Sequence, residues 1–267
     1  MRIDEVTSQE LSFRNYTNRQ LEEITPERLR ERAAMVRPSG NFFYNGHKWS
    51  PSEYKGFAVV SMVEEQPGNE LLPFQLSALQ DELRKHLQPS AAYYMLPPSS
   101  FHQTVANTAS AQRFHSLIVE PGLEEVYPTI IKEAFNRIPA DGIPATPIRM
   151  KLAGLSIFGT SLGLLGVFEK EEDFQRIIRF RSGFYGDRVL SGIGIRRTRP
   201  FIGHITLAYV EQDLDTTQRE HLAAVISTMN ESIRQKNYCF SLSGTGLRRY
   251  DHLAEFRRED TYPAHLL

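Results

Sequence analysis

Two short strings in this chain carry residue types able to do acid–base chemistry: His102-Gln103-Thr104-Val105 and His204-Ile205-Thr206-Leu207. Each is a His-x-Thr followed by an aliphatic residue, set in a stretch of strand-forming composition. Side chains alternate along a strand, so in each string the histidine and the threonine emerge on one face. Two such strands side by side would gather two imidazoles and two hydroxyls about one point, an arrangement suited to work on a phosphate. Histidine has an ordinary pKa of about 6.5, so near neutrality one imidazole can take a proton while the other gives one. The hydroxyls of Thr104 and Thr206 can donate hydrogen bonds to nonbridging oxygens as charge builds there. Each acid–base role is typically worth about 10²–10⁴ in rate. The scheme calls for no metal and no cofactor.

One His-x-Thr among eight histidines carries little weight. Here the surrounding layout is repeated as well. Met95-Leu96-Pro97-Pro98-Ser99-Ser100 leads into the first string and Arg199-Pro200-Phe201-Ile202 into the second. At these residues the chain resembles the 2H phosphoesterases, which include 2′-5′ RNA ligase-like proteins, plant cyclic phosphodiesterases and several RNA-processing phosphodiesterases. The hallmark of that family is a pair of His-x-Thr/Ser-x tetrads on pseudo-symmetric halves. The run from Leu96 to Val105 looks like one branch of it in particular, and the resemblance covers about residues 42 to 258. It implies a metal-independent phosphodiesterase acting on a 2′,3′-cyclic phosphate or a 2′-5′ phosphodiester in a nucleotide or RNA end. His102, Thr104, His204 and Thr206 would be the catalytic set. A 2′-5′ RNA ligase sharing the site, and a nucleotide- or RNA-binding module of weak activity, are the alternatives.

Other residues are weaker candidates. Arg199, the member of Arg196-Arg197-Thr198-Arg199 nearest the second string, can offer a guanidinium to phosphate. Tyr94, beside Tyr93 and ahead of the first string, can stack on a base. A solvated loop and core packing are the ordinary fates of such residues. The cluster Arg248, Arg249, Arg257 and Arg258 is interleaved with acids and reads as a solvated face. Gly192-Ile193-Gly194 and Gly244-Thr245-Gly246 are too short to define a nucleotide loop. The remaining histidines (His47, His86, His115, His221, His252 and His265) have no zinc spacing, and no carboxylate cluster suggests a metal-dependent phosphatase. The single cysteine, Cys239, rules out an internal disulfide and reads as a buried structural thiol.

The elements that must position the two strings follow from apolar spacing. Strands are expected over 56–63, 92–95 and 100–106, with a helix over 71–87 whose apolar positions recur at 72, 76, 79, 83 and 87. A helix near 122–137 leads into a Pro/Gly-rich connector from Ile138 to Pro147. Strands over 148–157 and 162–168, a helix over 171–184, the second tetrad strand over 201–210 and a helix over 216–234 come next. Strands over 238–242 and 246–255 close the chain, expected as a hairpin. The halves read β-α-β-β and β-β-α-β-α-β-β, which predicts an α+β fold. Two pseudo-symmetric lobes of mainly antiparallel sheet, flanked by helices, would enclose a cleft between them. Residues 1–41 read as an N-terminal arm with a short helix begun by Thr25-Pro26, and residues 42–267 as one bilobal domain. Strand parity assigns Phe101, Gln103 and Val105, with Ile205, Leu207 and Tyr209, to the face away from the cleft. Gln103 would need a hydrogen-bond partner there.

Bulk properties bound the partners. Over 267 residues the formal net charge is −1, with 40% hydrophobic and 24% charged residues. That balance supplies no basic field for a long duplex and suits a nucleotide or RNA end. Met1-Arg2-Ile3-Asp4-Glu5 has no apolar leader, and no stretch reaches the length of a membrane span. A cytoplasmic, monomeric enzyme is the expectation.

Overall fold

The computed structural model describes residues 9–139 and 146–267. Much of the 138–147 connector, and the extreme N-terminus, lie outside the described residues. The fold is α+β, with two main antiparallel sheets and helices on their outer faces. Two helices open it: α1 (Phe13–Glu22) and α2 (Pro26–Ala34). Ser12 caps α1, accepting from Asn15 N; Thr25 caps α2, accepting from Arg28 N, with Pro26 in the first turn. The short strands β1 (Phe42–Tyr44) and β2 (Trp49–Pro51) form a small hairpin. They are followed by β3 (Gly56–Met62), α3 (Leu72–His86), β4 (Tyr93–Met95) and β5 (His102–Ser110). After a helical turn come α4 (Tyr127–Arg137), β6 (Ile148–Ile157), β7 (Ser161–Phe168), α5 (Glu171–Gly186) and the single turn α6 (Arg188–Gly192). The chain ends with β8 (His204–Val210), α7 (Thr216–Lys236), β9 (Cys239–Leu242), β10 (Gly244–Tyr250) and β11 (Ala264–Leu266).

The sheets exchange strands. One has the order β11-β10-β3-β5 and the other β4-β8-β7-β6-β9. β4, from the first half, pairs with β8 of the second, while β10 crosses back to β3. The lobes are therefore interlaced and are not consecutive halves of the chain. The hairpin expected from 238–255 does not form. Only Ser243 separates β9 from β10, yet β9 pairs with β6 and β10 with β3. The two closing strands thus tie the sheets together.

One large apolar core lies between the sheets and the helices, and smaller clusters sit on each sheet's other face. On the four-stranded sheet the small cluster is Ala58, Val60, Met62 and Tyr250, topped by Tyr54, Leu253 and Phe256. On the five-stranded sheet it is Ile24, Ala153 and Leu165, with Phe158, Val167 and Ile202. The N-terminal helices belong to this packing: Tyr16, Leu29 and Ala33 are fully buried in the main core. Cys239 is only partly buried, because its strand lies at the sheet edge. No helix among the described residues is long and apolar enough to cross a membrane.

Candidate active site

His102 opens β5 and His204 opens β8, and Gln103 fastens the two strands together. Its side-chain Oε1 accepts from His204 N at 2.7 Å, and its Nε2 donates to Ile202 O at 3.1 Å and to Thr104 O at 2.7 Å. Gln103 is fully buried, so the polar residue on the covered face meets its hydrogen-bonding requirement by bridging the two tetrads. His102, Thr104, His204 and Thr206 all remain partly exposed, while Phe101, Val105, Ile205 and Leu207 are buried behind them.

Each strand carries an irregularity just past its threonine. In β5, Thr104 faces Val60 and Ala106 faces Val59, leaving Val105 without a partner. In β8, Thr206 faces Gly163 and Ala208 faces Leu162, leaving Leu207 without one. Such bulges bend a strand and re-aim the side chains that follow. Tyr209, assigned by simple alternation to the covered face, is consequently turned to the side of His204 and Thr206, where it is partly exposed. Asn107 is turned in the same way on β5 and shares a register position with cleft-side Ala58.

The imidazoles are held alike. His102 Nδ1 lies 2.7 Å from Ser100 O, and His204 Nδ1 lies 3.1 Å from Ile202 O. A carbonyl oxygen only accepts, so each Nδ1 carries the hydrogen and each Nε2 keeps its lone pair. Crowding by protein pushes both rings down to about pKa 4. The charge of Arg199 and the proximity of His102 depress His204 further, against the supporting Ile202 carbonyl. Neither Thr104 nor Thr206 has its hydroxyl engaged by a protein group among the described residues, so both are available as donors. Phe256 packs on His102 with ring centroids 4.0 Å apart, and Phe158 lies 5.3 Å from His204.

The supporting residues are spread along the chain. Arg181, almost fully buried, donates from Nη1 to Val105 O at 2.6 Å and from Nη2 to Arg199 O at 2.9 Å. Its Nε is paired with Glu10 at 2.6 Å. One guanidinium thus joins the bulge of the first tetrad strand to the approach of the second. Glu10, ahead of α1, and two side chains of α1 grip that approach as well. Glu10 accepts from Phe201 N, Arg19 donates to Phe201 O, and Gln20 donates to Gly203 O at 2.7 Å. Gly203 is required for this close fit, since a Cβ there would collide with the Tyr16 hydroxyl and lie 2.7 Å from Met150 Sδ.

Arg199 lies in the candidate site, exposed and close enough to His204 for its charge to act on the imidazole. Tyr94 is set further off. It pairs with Tyr209 across β4 and β8, five residues beyond His204, and its ring stacks on Phe42 at 3.8 Å with Trp49 against its edge. Stacking of Tyr94 in this structure is therefore with the β1–β2 hairpin. Residues the sequence pattern passed over are Arg181 and Glu10, a buried ion pair with no local motif. Gln103 could be found, because a buried amide on a covered face demands partners.

The fold and the paired strands define an α+β protein in which two antiparallel sheets meet along β5 and β8. No family model matches the chain, and neither does any curated protein. Among solved structures it is similar to ATU0111, a conserved protein of unknown function from Agrobacterium tumefaciens. The TM-score is 0.58 at 15% identity, covering 86% of this chain and 97% of that one. It is also similar to TT0787 of Thermus thermophilus, with a TM-score of 0.45 at 14% identity, covering 79% and 94% respectively. The first of these likenesses supports the fold and nothing beyond it.

Proposed function

We propose that this protein is a phosphodiesterase of the 2H type. It would hydrolyse a 2′,3′-cyclic phosphate or a 2′-5′ phosphodiester in a nucleotide or RNA end, in the cytoplasm, without a metal. The observation that carries this reading is the matched pair of imidazoles. Both have Nδ1 tied to the carbonyl two residues back, and Gln103 holds their strands together.

Before substrate binds, both rings are neutral at pH 7, because their pKa values lie near 4. A bound phosphate brings negative charge beside them and raises the pKa of the nearer ring, which becomes the acid. The other Nε2 takes a proton from water as the water oxygen attacks phosphorus. The bond from phosphorus to the ribose oxygen breaks, and the protonated imidazole delivers its proton to that oxygen. Thr104 and Thr206 donate to the nonbridging oxygens throughout.

The test is turnover of a panel of 2′,3′-cyclic nucleotides and 2′-5′-linked dinucleotides in the presence of a chelator. His102→Ala and His204→Ala should each lose about 10²–10⁴-fold in kcat while unfolding at an unchanged temperature. Undiminished turnover in either variant would sink the assignment.

A further inference from the structure

A cavity of about 370 Å³ lies beside the candidate site, lined in part by Val60, Glu65, Gly246, Arg248 and Arg258. The sheet register fixes its relation to Thr104. Thr104 faces Val60, Val60 faces Gly246, and Gly246 faces Ala264, a single row across four strands. Directly opposed residues point to one side of a sheet, so this row shares the face on which Thr104 emerges. Strands are spaced about 4.8 Å apart, which puts Gly246 about 10 Å from Thr104.

The cavity is basic. Arg248 is 4% exposed, and its Nε has no hydrogen-bond partner. Glu65 pairs with its Nη2 and holds the guanidinium in place. Arg258 is exposed and has no ion pair among the described residues. Two guanidinium groups and one carboxylate leave a net positive charge. Gly246 makes room for the arrangement, since a Cβ there would lie 3.0 Å from Arg248 Nη1. The basic cluster expected to be a solvated face therefore buries Arg248 against a cavity, and the second Gly-x-Gly is part of the cavity's lining.

We propose that this cavity is a second anion subsite. It would take a phosphate carried by the substrate about one nucleoside away from the phosphorus between His102 and His204. The proposal rests on the two-histidine reading for its choice of substrate. Nucleotides bearing two phosphates, either as a terminal 5′-phosphate or as the next phosphodiester of an oligonucleotide, would be preferred over nucleoside cyclic monophosphates.

The experiment is calorimetric titration with adenosine 3′-monophosphate, adenosine 3′,5′-bisphosphate, and a diadenosine dinucleotide bearing a 3′-phosphate. The last two distinguish a terminal phosphate from an internal phosphodiester. The wild-type protein should bind at least one of them about tenfold more tightly than the monophosphate. Arg258→Ala should remove most of that advantage, and Arg248→Lys, which keeps the charge but not the planar fork, should reduce it. Arg258 has no ion-pair partner to lose, so its variant should unfold like the wild type. The advantage should persist in the His102→Ala/His204→Ala double variant. Equal affinity for all three ligands, no binding of any, or an advantage that survives both arginine variants would overturn the subsite. An advantage that persists while no substrate is ever turned over would remove the two-histidine reading and leave the subsite standing.

Discussion

The two tetrad strands do the same thing by different means. His102 enters from a local turn: Pro98–Ser100 is helical, Ser100 O holds the imidazole, and Phe101 O accepts from Val63 N. Its strand, β5, is the edge of a four-stranded sheet. His204 enters on an extended segment with no turn of its own, and distant residues near the N-terminus, Glu10 and the α1 side chains Arg19 and Gln20, hold Phe201 and Gly203 in place. Its strand is flanked on both sides, by β4 and β7. Both imidazoles rest on the carbonyl two residues back, but the segment leading to His102 is set by neighbouring sequence and the one leading to His204 by tertiary contact. Changes far away in the chain should therefore fall harder on the second site.

The largest test of that difference is Glu10→Ala. Glu10 is the buried counter-ion of Arg181 and accepts from Phe201 N. Removing one partner of a buried pair strands the other charge and typically costs about 3–5 kcal/mol. Chemical denaturation should show a loss of that order. In a destabilised but folded sample, the amide and ring resonances of His204 should move more than those of His102. Equal movement at both histidines would break the comparison.

Gln103→Leu attacks the link between the two sites. It leaves His204 N without its acceptor and takes the amide donor from Thr104 O and from Ile202 O, which keeps His204 Nδ1; a group left unpaired in this way costs about 1–3 kcal/mol. Stability should fall by roughly 2 kcal/mol or more, and kcat should fall with it while the imidazoles keep their own carbonyl partners. A variant with normal kcat would mean that the strands hold their alignment without the amide.

A third test uses pH. Both imidazoles have pKa values near 4 in the folded protein, against about 6.5 when unfolded. Between those values the unfolded chain binds more protons, so stability rises with pH across that window. The contribution is fully present above about pH 6.5 and is lost as pH falls through about 4. Replacing both histidines with glutamine should flatten the slope of stability between pH 4 and 6.5. An unchanged slope would place the titration elsewhere.

Much of this was legible in the sequence where the signal is local. The Thr25-Pro26 cap, the apolar spacing of α3 and the two His-x-Thr strings each depend on residues a few positions apart. The parity of β8 was legible as far as Leu207 and failed at Tyr209, because a bulge adds one residue without marking the sequence. The exchange of β4 and β10 between sheets was not legible either. The break at residues 243–245 looks like a hairpin turn, and only the pairing of β10 with β3 decides otherwise. Glu10 and Arg181 lie 171 positions apart, so nothing short of the folded core could join them.

The smallest effect is also the most specific to the comparison. Arg199 acts on His204, whereas His102 is depressed by burial alone, with only the Ser100 carbonyl opposing it. Arg199 is exposed, so Arg199→Ala should leave stability within about 0.5 kcal/mol of the wild type. Removing its charge should raise the pKa of His204, because a positive neighbour disfavours the imidazolium. His102 should titrate as before. Following both rings by NMR in the ligand-free protein separates the two outcomes. A rise at His204 alone means that the cation biases this ring toward the neutral, proton-accepting state and leaves the acid role to His102. A rise at both rings would mean that Arg199 acts on the cleft as a whole, and the roles would then be set by the substrate.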